Sequence, residues 1–337
     1  MLCTKTMRSC LALALALAMW LAASGHIRAQ ETQPLALEAT IALGDVKGRI
    51  DHMAIDVARA RLFVAELGND SASVVDLKDH KVIHRIAGLS EPQGIGYLAS
   101  TDTLYVANGR DGSLRLFAGP QYAEAGRIGL GSDADNVRVD PEAHQVIVGY
   151  GSGALAVIDA MDRRRIADIR LKGHPESFQL SERGSRAYVN IPNAREIAVV
   201  DLKANRPLAS WPTRIASANF PMALEEAQQR VLSVFRSPAR VGVFSMQDGM
   251  LVAGPETCGD ADDIFVDAQR HRAYVSCGGG AIDVIDAQDG AYRSIARIPT
   301  AAGARTSLFS PEFDRFFLAV RAQRGEGASI RIFRPLP

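Results

Sequence analysis

The stretch Ala261 to Asp286, ADDIFVDAQRHRAYVSCGGGAIDVID, holds three short strand signals and the turns between them. Ile264 and Val266, Ala273 and Val275, then Ile282, Val284 and Ile285 are the β-branched or small apolar residues that suit a pleated, half-buried sheet. Asp267-Ala-Gln-Arg270 is a polar turn between the first two runs, and Gly278-Gly-Gly280 turns the chain before the third. A unit of three or four strands cannot bury both faces of its sheet alone. Copies stacked face to face around an axis can.

Variants of this unit recur along the chain. The second strand gives the register: Leu62-Phe-Val-Ala65, Leu104-Tyr-Val-Ala107, Val146-Ile-Val-Gly149, Ala187-Tyr-Val-Asn190, Val231-Leu-Ser-Val234, Ala273-Tyr-Val-Ser276 and Phe316-Phe-Leu-Ala319. Their spacing of about forty residues is that of a four-stranded propeller blade. Third strands end in Val75-Asp76, Ile158-Asp159, Val200-Asp201 and Ile285-Asp286, and looser outer strands follow at Lys81 to Ile86, Arg165 to Ile169 and Arg293 to Ile298. The seventh copy stops after its third strand, Ser329 to Phe333. The missing outer strand is then supplied by Glu38 to Leu43, with Glu31 to Leu37 as a polar tether before it. The expectation is an all-β, seven-bladed propeller of four-stranded antiparallel blades, closed by an N-terminal strand that completes the last blade. Closure removes the long open edges that invite aggregation.

With 337 residues the length alone suggests two domains, but a repeat with one continuous core overrides that count. Residues 30–337 are expected to form a single propeller. Residues 1–29 read as a secretory signal: Lys5 and Arg8 form the basic start, Leu11 to Ala23 the apolar run, and Ala22-Ala-Ser-Gly25 or Ala29 offers small residues for cleavage. That run is too short to span a bilayer comfortably, so no membrane span is expected after its removal. The implied location is periplasmic or secreted. Basic and acidic residues balance at 38 each, which argues against a nucleic-acid partner held by bulk charge. Only Cys258 and Cys277 lie beyond the signal, and the repeat alignment puts both on one face of one blade. In an exported chain they invite a disulfide, with two unpaired thiols as the alternative.

Tyr105-Val-Ala-Asn108 and Tyr188-Val-Asn-Ile191, within this repeat, resemble the YVTN-type, or YncE-like, seven-bladed propeller family of exported bacterial proteins. The resemblance runs from about Glu38 to the C-terminus. It implies the propeller fold and export, and supplies no catalytic set to transfer, since propellers serve as enzymes, carriers and platforms alike.

Ligands of propellers usually meet the face formed by the loops leading into the inner strands and those joining second to third strands. The first set is polar in almost every copy: Arg49-Ile-Asp51-His52, Glu91-Pro-Gln93-Gly94, Asp133-Ala-Asp135-Asn136, His174-Pro-Glu176-Ser177, Asn219-Phe-Pro221, Asp260-Ala-Asp262-Asp263 and Arg305-Thr306. Three readings compete. Asp51, Asp135, Glu176 and Asp262 supply oxygen ligands for Ca²⁺ or Mg²⁺, with Asn136 and water completing the shell. Alternatively Asp51, Gln93, Asn136, Glu176, Asn219, Asp263, Arg305 and Arg236 line a pocket for a small polar or cationic ligand, with Arg305 balancing part of the charge. The third is a hydrated channel whose polar groups satisfy one another and the loop amides. His52 and His174 read as general acid and base, or as loop histidines bonded to nearby carboxylates. In the second set of loops, Arg236 and Arg240, with Arg321 and Arg324, form a basic sector suited to an anionic group.

No phosphate loop, nucleophile elbow, haem-attachment or zinc-helix motif is present in the sequence. The functional expectation is a propeller that binds a small ligand or a periplasmic protein on its polar face, without covalent catalysis. One alternative is a metal-assisted lyase or hydrolase, similar in plan to propeller lactonases and virginiamycin B lyase. Another is the propeller subunit of a periplasmic redox complex.

Overall fold

Leu62, Phe63, Val64 and Ala65 are all fully buried. Second strands lie between two neighbours in their own sheet and under the adjacent blades on both faces, so they read as unbroken apolar runs rather than alternating ones. The computed structural model describes residues 33–182 and 184–337. It consists of seven four-stranded sheets, with no α-helix among the described residues. The expected signal, residues 1–29, lies outside the described residues.

The inner strands are Met53–Asp56, Pro92–Leu98, Ala134–Asp140, Phe178–Leu180, Ser217–Glu225, Ala261–Asp267 and Ser307–Ser310, and we number the blades one to seven in that order. Each blade meanders outward through hydrogen-bonded antiparallel neighbours. The core is divided into clusters, each shared by two adjacent blades. Phe63 and Val74 of blade one pack with Ile95 and Leu104 of blade two, for example, and Leu232 and Val243 of blade five pack with Ile264 and Val275 of blade six. No blade has a core of its own, which is why one copy of the repeat cannot fold alone.

The ring closes as the sequence predicts. Leu35–Gly44 pairs antiparallel with Ala328–Pro335, from Leu35 opposite Pro335 to Gly44 opposite Ala328. The closing strand begins earlier than expected, however. Leu35 is 1 % exposed and packs against Tyr274, Phe309 and Phe333, so the reading of Glu31 to Leu37 as a tether is corrected at its C-terminal end.

The recurrent Val-Asp and Ile-Asp endings have a local cause. Asp76, Asp159 and Asp201 each accept two backbone N–H groups from the next two or three residues, at 2.8–2.9 Å, and so cap the turn into the outer strand. On the same face, inner-strand aspartates anchor arginines that reach the next blade. Arg270 bonds Asp267 at 3.0 Å and Asp314 of blade seven at 2.7 Å, and Arg59 repeats the pattern with Asp56 and Asp102. The opposite face carries the polar loops. There Gly94 is required: a β-carbon would stand 1.9 Å from the Asp135 carbonyl oxygen of blade three.

Candidate functional site

Three groups of side chains meet at the mouth of the channel. The first joins blades one, six and seven. Arg49 donates to Asp51 at 2.5 Å. His52 lies between two carboxylates, its Nε2 3.7 Å from Asp51 and its Nδ1 3.6 Å from Asp263. Asp263 is fixed in turn by the backbone N–H of Ser307, at 2.7 Å.

The second group joins blades three and four. His174 Nδ1 is 2.6 Å from the Gly151 carbonyl oxygen. A carbonyl only accepts, so Nδ1 carries the proton and Nε2 faces Asp135, 3.7 Å away. Asp133 stands 3.5 Å from Nδ1 and accepts a bond from Gln93 at 3.3 Å, which places Gln93 on the rim. Asn136 is buried and donates to the Glu176 backbone carbonyl, tying the two blades together.

The third group belongs to blades five, six and seven. Arg236 bonds Asp262 at 2.5 Å and the Ala261 carbonyl at 2.9 Å, with its guanidinium 3.9 Å over the Phe220 ring. Arg305 holds both oxygens of Asp260, at 2.8 and 3.0 Å, and its Nε lies 2.8 Å from Asp262. The expected disulfide is formed: Cys258 and Cys277 are linked, with their Cα atoms 5.9 Å apart. It pins the loop before Asp260 to the end of the second strand of blade six.

The groups share one electrostatic space. Burial resists charge on His52, yet Asp263, Asp51 and Asp135 overcome it and raise the imidazole to about 10. His174 behaves alike: burial opposes charge, and Asp135, the Gly151 carbonyl and Asp133 lift it to about 9. Both are therefore cations at neutral pH. Burial, then the Asp135 charge, pushes Glu176 up to about 7. Burial and Asp51 raise Asp262 to about 6, against the pull of Arg305 and Arg236. Asp135 is raised as well, chiefly by burial. Glu176 stands apart because its carboxyl has no hydrogen-bond or ion-pair partner among the described residues, while Asp51, Asp135 and Asp262 each face a cation. Among the described residues, no three His, Cys, Asp or Glu side chains gather closely enough to hold a metal ion.

Asn219 does not belong to this mouth. It is fully buried and donates to Asn190 at 3.0 Å and to the Glu196 carbonyl at 3.1 Å, bridging blades four and five. Of the second set of loops, Glu66 and Asn108 are also buried and bond within their own blades. Small polar residues at loop ends satisfy inter-strand amides as readily as ligands, and sequence position does not separate the two uses.

The sequence reading passed over Arg138 and Gln179. Arg138, in the inner strand of blade three, bonds Gln179 at 3.2 Å and the Val137 carbonyl at 2.8 Å, and lies 5.5 Å from the Phe178 ring. Burial lowers its guanidinium, and Asp263 and Asp135 support the charge. The signal was present: Arg138 lies two residues beyond Asn136, on the same side of a strand that otherwise turns apolar.

No protein-family model matches this chain, and no curated protein matches it. Solved structures do. A chain of Kuenenia stuttgartiensis hydrazine synthase superposes with a TM-score of 0.75 at 15 % identity, covering 86 % of this chain and 97 % of that one. A chain of a mitotic checkpoint complex gives 0.76 at 11 % identity over 90 % and 92 %, and the WD40 repeats of RRP9 give 0.76 at 10 % over 90 % and 100 %. At such identities the likeness is one of fold: the chain is a seven-bladed β-propeller of the architecture those proteins share.

Proposed function

We propose that this chain is an exported, periplasmic or secreted propeller of the YVTN type, which binds a small polar ligand at the channel mouth. The observation that carries the reading is Glu176, a carboxyl without a partner among the described residues, in a space where Asp51, Asp135 and Asp262 each face a cation. A carboxyl pushed up to about 7 is an acceptor or donor held in reserve for a guest. His52 and His174, both charged and each flanked by two carboxylates, position that space rather than move protons near neutrality. Export is supported by the leader-like N-terminus and agrees with a disulfide in the mature part of the chain.

The metal-assisted lyase or lactonase reading would place Ca²⁺ or Mg²⁺ between Asp51, Asp135, Glu176 and Asp262. Guanidinium and imidazolium groups beside three of these carboxylates favour the ligand reading over it. A thermal-shift screen of small polar metabolites, followed by calorimetry, tests the proposal. The expected result is a ligand whose affinity falls about tenfold in Glu176→Gln, the loss of one bond to a charged group, while the fold is kept. Hits indifferent to Glu176→Gln and to His52→Gln would refute it, and stabilisation by Ca²⁺ or Mg²⁺ alone would restore the metal reading.

A further inference from the structure

A cavity of about 210 Å³ opens where blades six, seven and one meet, beside the channel mouth. Its polar walls are Arg49, Arg305, Arg321 and Asp260, and its backbone walls include Gly278 and Gly303. Asp260 is already neutralised, bound by Arg305 through both oxygens and 3.6 Å from Arg236. Arg49 spends part of its donor fork on Asp51. Arg321, the residue after the second strand of blade seven, is exposed and pairs with no carboxylate among the described residues. The cavity therefore holds unspent positive charge.

The backbone is shaped around that charge. Gly303 has a φ of +76°, and a β-carbon there would stand 2.5 Å from the Arg321 guanidinium carbon. Glycine lets the guanidinium lie directly on the chain. A β-carbon at Gly278 would meet the Asp260 carboxylate at 2.0 Å, and Gly303 N–H donates to the Gly278 carbonyl at 2.7 Å. The Cys258–Cys277 disulfide ends one residue before Gly278. The wall is thus tied on three sides before any guest arrives, which lowers the ordering cost of binding.

We infer that this cavity is a subsite for a compact oxyanion, a carboxylate or phosphate group, held by Arg321 with Arg49 and Arg305 at its sides. The inference rests on the ligand-binding reading of this face and names the chemistry of one end of that ligand. Guanidinium forks match the paired oxygens of either anion. The volume lies below the roughly 300 Å³ at which pockets begin to take drug-sized molecules, so the group is small or is the end of a larger molecule.

The test is calorimetric titration of the full chain at low ionic strength with sodium succinate and, separately, with inorganic phosphate. Saturable binding of at least one is expected, weakening with added salt as exposed charges are screened. Succinate without phosphate would identify a carboxylate subsite, and the reverse a phosphate subsite. Arg321→Gln should weaken binding by about tenfold or more, Arg321→Lys by less, and Arg293→Gln, at the exposed start of the outer strand of blade six, should leave it unchanged. Arg321 is exposed, so its variants are expected to keep the wild-type melting temperature, which is measured alongside. Absence of saturable binding by either anion up to about 10 mM, or equal binding by Arg321→Gln, overturns the inference. If a ligand sensitive to Glu176→Gln still binds, only this subsite falls and the reading of the face stands.

Discussion

Replacing His52 by glutamine tests the electrostatics of the channel mouth, because the imidazolium is the cation that Asp51 and Asp263 share. In the folded chain its pKa rises from 6.5 to about 10, the three nearby carboxylates outweighing burial. The native state therefore holds this proton more tightly than the unfolded chain. The resulting stabilisation is complete below pH 6.5 and is lost as pH climbs towards 10. At about 1.4 kcal/mol for each tenfold change in proton affinity, the shift corresponds to on the order of 4–5 kcal/mol. The side chain is only 17 % exposed, so solvent screens little of this. For a chain of this size about 2 °C follows each kcal/mol, which makes the expected loss roughly 8–10 °C across the window. Melting curves by differential scanning calorimetry, at pH steps from 6 to 10, should fall steeply for the wild type. His52→Gln should start lower at pH 6 and fall much less, retaining only the contributions of the other groups, His174 among them. A direct reading comes from following the His52 ring carbon resonance against pH. Parallel melting curves for the two proteins, or an imidazole that titrates near 6.5, would refute the reasoning.

Glu176→Gln should stabilise where His52→Gln destabilises: burial raises this carboxyl from 4.5 to about 7, so the wild type loses stability as pH rises through that window and the glutamine variant does not. The variant should match the wild type below pH 4.5 and exceed it by on the order of 3 kcal/mol at pH 8, by thermal or denaturant melts. Replacing both Cys258 and Cys277 by serine should cost about 3 kcal/mol in the same assay, and an unchanged midpoint would show that the link constrains nothing. Arg270→Ala breaks a clamp between blades six and seven whose arginine is 15 % exposed, and should cost about 2 kcal/mol, whereas Arg293→Ala, in an exposed pair with Asp289, should cost under about 0.5. Deleting residues 33–42 removes most of the strand paired with Ala328–Pro335, together with buried Leu35 and Ile41, and should leave a chain that exposes apolar surface and aggregates during refolding, as followed by light scattering.

The repeat was legible because its physics is local. Strand pairs within a blade are neighbours in sequence, apolar runs mark the doubly buried second strands, and aspartates that cap their own turns mark the third-strand ends. The closing strand was legible by comparison, since outer strands read in three of the copies and the seventh shows none of its own. Its true beginning was not, because Leu35 is buried by Tyr274 and Phe309, which lie far along the chain. The polar loops were likewise visible as a set, and the disulfide followed from two cysteines falling on one face of one blade.

Only the tertiary structure sorted those polar residues by role. Asp262, Asn219 and Glu176 occupy comparable loop positions in the sequence, yet one is gripped by two arginines, one is sealed between strands and one has no partner among the described residues. Charge at a channel mouth depends on which blade faces which across the axis, and on how much water the neighbours exclude. Residues hundreds of positions apart set both, as Thr306 does when its hydroxyl meets the Ile50 carbonyl at 3.2 Å. The sequence by itself determined the ring. The partner of each charge in its centre was decided by closing that ring.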